Sequence, residues 1–91
     1  MRLAEERFND ILDEMYELWK SKQSDYGEDT WKQLGMKMRF SDVWRKCKRL
    51  ETLIWFDHTI QNKQETVRDT FIDLAVYCIL GIMLWDEEEH R

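Results

Sequence analysis

"LAVYCILGIMLW", Leu74 to Trp85, is the longest apolar run in the chain. Its length falls well short of the about 20 residues that an α-helix needs to cross a bilayer. No membrane span is expected, and the run reads as a helix buried in protein. At 100° per residue, Val67, Phe71, Leu74, Cys78 and Trp85 share one face and form the expected core stripe. Glu65, Asp69 and Asp73 fall roughly opposite, yet that opposite face continues apolar as Val76, Leu80 and Met83. The C-terminal half of this helix is therefore apolar all round, which implies cover on every side. Three helices of one small chain can hardly supply it. The run predicts a homo-oligomer, with the carboxylates beside an interface or in a cleft.

The rest of the chain agrees with a helical protein. It has 91 residues, 43% of them apolar, no proline and three glycines. Good helix formers are frequent, and the length suits one domain, residues 1–91. The expected fold is all-α, with helices over about 3–22, 41–61 and 63–88 and a short helix or loop at 24–40. Phe8, Ile11, Leu12, Met15, Leu18 and Trp19 give the first helix its apolar stripe. Ser41 reads as an N-cap, with Asp42 placed for the helix dipole. Val43, Cys47, Leu50 and Ile54 form the core stripe of the second helix. Asn62-x-x-Glu65 resembles a capping box for the third. Cys47 and Cys78, each inside an apolar pattern, read as buried thiols in a reducing compartment. The N-terminus lacks the basic-then-apolar order of a secretory signal, so a cytoplasmic location is expected.

Charge narrows the function. A formal net charge of −5 disfavours a long nucleic acid as partner, which calls for a broad basic face. Against that sign, Arg39, Arg45, Lys46, Lys48 and Arg49 cluster in the second helix. Lys46 and Arg49 are candidates to read a phosphate, a task that suits the guanidinium fork. Glu65, Asp69 and Asp73 stand at i, i+4 and i+8, where like charges repel. Mg²⁺ would compensate them, since it prefers carboxylate oxygens, waters and substrate phosphates. Ion pairs with Arg68, Lys46 or Arg49 would do so equally. Asp13-Glu14-x-x-Glu17 on the first helix reads mainly as solvated surface. Trp44 and Trp55 lie about 200° from the core stripe of their helix and suit a subunit interface. His58 and His90 have no second ligand at useful spacing.

"KSKQSDYGEDTW", Lys20 to Trp31, carries more chemistry than a linker needs. Lys22, Asp25, Tyr26, Gly27 and Trp31 follow a K-x-x-D-Y-G-x-x-x-W pattern. Lys46, Arg49 and Leu50 follow K-x-x-R-L. Glu65, Asp69, Asp73, Leu74 and Tyr77 follow E-x-x-x-D-x-x-x-D-L-x-x-Y. In their order and spacing, these elements resemble the nucleotide modification-associated domain family of phage and bacteria. That family stands near the MazG-like all-α nucleotide pyrophosphohydrolases, and the resemblance covers about residues 10 to 82.

The resemblance implies a helical, oligomeric, nucleotide-related protein. Lys22, Asp25, Tyr26 and Trp31 would form one wall of a nucleotide pocket facing Lys46, Arg49 and the carboxylates. The pyrophosphohydrolases hold Mg²⁺ through Glu-Glu-x-x-Glu and a later Glu-x-x-Asp. Here Asp13-Glu14-x-x-Glu17 weakens the first motif, and Glu65-x-x-x-Asp69 has one residue too many for the second. The leading expectation is a phage-type protein that binds a nucleotide or cyclic nucleotide signal, sequestering it from host immunity in the host cytoplasm. A Mg²⁺-dependent hydrolase, with Glu65, Asp69 and Asp73 on the metal, is the second reading. A protein-interaction module, whose charges merely form salt bridges, is the third.

Overall fold

The computed structural model describes residues 3–27, 32–33, 35–56 and 66–88, and for Tyr26 the backbone alone. The expectations for Trp31, His58, His90 and the Asn62–Glu65 cap lie outside the described residues, as does that for Glu65 as a ligand. The fold is all-α. Three helices are described: α1 (Ala4–Tyr26), α2 (Gly35–Leu50) and α3 (Val67–Glu87). Two compact units divide the chain, Met1–Trp31 and Lys32–Arg91.

The first unit is α1. It runs one turn past the expected end at residue 22, so Ser24 and Asp25 are helical. Only Gly27 stops it. Its φ of 97° is costly for any residue with a Cβ, and its N–H closes on the Gln23 carbonyl at 2.9 Å. Met15 is buried, whereas Phe8, Ile11 and Leu12 of the same stripe are exposed.

In the second unit α2 and α3 pack against each other. Arg39 meets Tyr77 and Gly81, and Lys46 meets Asp73. Numbers rise along one helix as they fall along the other, so the pair is antiparallel. α2 starts at Gly35 (φ 69°), not at Ser41. Met36 to Phe40 contain no breaker, so the helix passes through Ser41 at the small cost of a mid-helix serine. The end also differs from expectation. After Leu50 comes a π-helical turn, Glu51–Trp55, closed by the Phe56 N–H on the Glu51 carbonyl at 3.1 Å. A five-residue step turns the side chains of this segment away from the earlier face. Ile54, expected in the core stripe, is accordingly exposed.

α3 begins at Val67, later than the expected 63, because Thr66 has extended backbone and forms the N-cap. Its hydroxyl accepts from the Asp69 N–H at 3.0 Å, and the Asp69 carboxylate accepts from the Thr66 N–H at 3.1 Å. This reciprocal box satisfies two N-terminal donors at once. The buried residues of α3 are Thr70, Ile72, Leu80 and Leu84. The core face therefore differs from the expected one: Val67, Phe71, Cys78 and Trp85 are exposed. Cys47 is exposed as well, so neither thiol is the buried residue that its pattern implied. No described helix is long and apolar enough to cross a membrane.

Candidate functional site

α2 carries the charged core of the site. Arg39, Asp42, Lys46 and Arg49 recur at three, four and three residues, which sets them on one helix face. All four are half-buried, although charged side chains rarely are without partners. The partners are visible. Asp42 accepts from Arg39 at 3.3 Å and also from Arg45. Lys46 Nζ lies 3.2 Å from an Asp73 carboxylate oxygen on α3, with side chains only 15% and 23% exposed. The Arg39 guanidinium sits over the Tyr77 ring, 5.4 Å from its centroid. That is a cation–π distance. The Nε atoms of Arg39 and Arg49 are buried.

The expected ion pairing of the acidic row is thus present at Asp73. Asp69 plays another part. Hydrogen bonds from the Thr66 backbone and then its side chain, with a smaller effect of Arg68, hold its carboxyl below the usual 3.8. A folded-state pKa below the unfolded one stabilises fully above about 3.8 and is lost as pH falls through the lower value. Thr66→Ala should weaken the protein by about 1 kcal/mol, the usual worth of an N-cap. It should also flatten the acid limb of its stability profile. Thermal melts from pH 7 down to pH 2 check both, and an unchanged acid limb would mean that the box contributes nothing to acid stability.

Among the described residues, no group of three or more His, Cys, Asp or Glu is placed to hold a metal. Asp69 is engaged as a cap and Asp73 as a counter-ion to Lys46. These two carboxylates do not by themselves form a magnesium cage.

The residues of the opening motif belong to α1. Lys22 and Asp25 are exposed and sit in its last turns, with Tyr26 as the final helical residue. They are helical, not loop residues, because the helix runs on to Gly27.

Between α2 and α3 lies a groove of about 410 Å³. Arg39, Phe40 and Val43 border it from α2, and Tyr77, Cys78 and Ile82 from α3. Its floor is open at Gly81, where an added Cβ would come 3.6 Å from Arg39 Cγ. Sequence reading missed Arg39 and Tyr77 as half-buried partners. The signal was there, since Arg39 extends the Asp42, Lys46, Arg49 spacing by one step. Starting the helix at Ser41 hid it.

A family model described as nucleotide modification associated domain 1 matches residues 22–84. The chain belongs to this family. The matched span starts at Lys22 and takes in α2 and most of α3, so it holds all the candidate residues of both units. No curated protein and no solved structure matches the chain. In this nucleotide modification associated domain, the second and third motif elements meet across a helix pair through Lys46 and Asp73.

Proposed function

We propose that this domain binds a nucleotide or nucleotide signal through phosphate-reading cations on α2 and holds it without turnover. The observation behind this reading is the half-buried cationic stripe of an acidic chain, with Lys46 fixed by Asp73 and Arg49 one turn further on. Cations held in place by the fold lose little freedom when a phosphate arrives, and such pre-organisation favours binding. The family description supports the ligand class. Lys22, Asp25, Tyr26 and Trp31 are the second group of motif residues, and an aromatic among them would stack on a base. Stoichiometric binding by a small, abundant protein removes a signal as effectively as cleavage does.

Thermal-shift measurements against mono-, di- and cyclic nucleotides, with and without Mg²⁺, test the reading. A ligand at about 100 times its Kd should stabilise by roughly 2.7 kcal/mol. Lys22 is exposed, so Lys22→Ala should preserve the fold, and it should raise Kd about tenfold or more if a charged hydrogen bond to phosphate is lost. The bound nucleotide should be recovered intact after denaturation. Conversion that requires Mg²⁺ would replace sequestration by hydrolysis, and absence of any shift would leave the protein-interaction module.

A further inference from the structure

The face that sequence periodicity marks as core is the one this chain leaves open. On α3, Val67, Phe71, Cys78, Ile82 and Trp85 fall within about 60° of one another. All five are exposed, Ile82 at 63%. On α2, Phe40 and Trp44 stand one turn apart and are exposed at 66% and 53%. Phe40, Cys78, Ile82 and Trp85 border the same groove, so the two stripes flank it. From the size of such side chains, the open apolar area along the stripes is roughly 700 Å². Monomeric proteins seldom show a contiguous apolar patch beyond about 300–600 Å². A standard interface buries about 800 Å² per partner.

We infer that the α2–α3 groove is the seat of a second copy of this chain, joined by two-fold symmetry. Three features favour a copy over another occupant. First, the exposed area matches what one partner contributes to a stable dimer. Second, a two-fold interface must be self-complementary. This face offers both parts, ridges at Phe40 and Ile82 and a recess floored by Gly81. Third, the groove lining is apolar apart from Arg39 and the Tyr77 hydroxyl, and Arg39 lies over the Tyr77 ring. Such a lining offers a phosphate little, whereas a helix pair like this one fits it. The buried seam of each hairpin would lie behind this contact, so a dimer would have four helices around an apolar centre. The inference is independent of nucleotide binding, because the cations proposed to read phosphate are a different set of residues.

The test uses the full chain in a Cys47→Ser background, where Cys78 is the only thiol and reports on the groove. Light scattering from about 5 to 200 µM should give at least twice the 11.3 kDa chain mass. Alkylation of Cys78 by iodoacetamide should be slow. Ile82→Glu should return the monomer mass with unchanged helical circular dichroism, and Cys78 should react at least tenfold faster. Phe40→Glu, on the other helix, should do the same and covers the case in which Ile82→Glu misfolds. A monomeric parent chain with fast-reacting Cys78 would overturn the inference. So would an oligomer whose mass and Cys78 rate survive both substitutions. Protection of Cys78 by added nucleotide on a monomer would assign the groove to a ligand and likewise overturn it.

Discussion

Leu80→Glu is expected to leave the chain unfolded. Leu80 is only 7% exposed and shares a face of α3 with Asp73, Tyr77 and the buried Leu84. The substitution forfeits about 1.5–3 kcal/mol of apolar burial. It also places a carboxylate where no further cation is provided, at a cost of several kcal/mol. Small domains hold about 5–15 kcal/mol in all, and one of this length belongs near the low end. Far-ultraviolet circular dichroism should show loss of helix and of a cooperative melt. The comparison with Ile82→Glu is informative because that residue lies two positions on, along the open face. If Leu80→Glu melts like the parent chain, Leu80 is not in the core and the orientation given to α3 is wrong.

The second large effect concerns the Lys46–Asp73 pair. Removing one partner of a shielded pair leaves a charge in poor solvent, which costs about 3–5 kcal/mol when burial is complete. At 15% and 23% side-chain exposure, water still reaches the pair, so about 1–3 kcal/mol is expected for Lys46→Ala or Asp73→Ala alone. The double variant should lose clearly less than the sum of the two, because it leaves neither charge orphaned. Chemical denaturation of the four proteins gives the coupling. Strict additivity would mean that the pair is an incidental surface contact. The same set bears on nucleotide binding: Asp73→Ala frees the ammonium for phosphate, whereas Lys46→Ala removes it.

The helical class, the exclusion of a membrane span and the family elements could be read in the residues. The absence of proline and the 3.6-residue pattern fix the first, and twelve apolar residues between charged flanks fix the second. The face of α3 could not be read that way. A periodicity argument picks the stripe richest in apolar residues, which is Val67, Phe71, Leu74, Cys78 and Trp85. The true seam is interrupted by Thr70, Asp73, Tyr77 and Gly81, each of which has a partner or a packing reason that periodicity does not show. Thr70, completely buried, donates its hydroxyl to the Thr66 carbonyl at 2.8 Å, so its burial is satisfied locally. The start of α2 was hidden for a related reason. Ser41 and Asp42 are good capping residues, but the left-handed Gly35 offered an earlier start. Asp42 then served Arg39 and Arg45 instead of the helix dipole.

The charged seam also governs how the two helices align. Sliding α2 by one turn, about 5.4 Å, keeps every apolar residue near another apolar residue and costs little in burial alone. It does not keep the charges matched. In one direction Asp73 would come level with Asp42, like against like. In the other it would come level with Leu50, and Lys46 would be left without its counter-ion. An all-leucine seam would accept all three alignments. The Lys46–Asp73 pair accepts one, so its main contribution is to choose the register of the hairpin, and with it the pitch at which the outer apolar stripes are offered to whatever they meet.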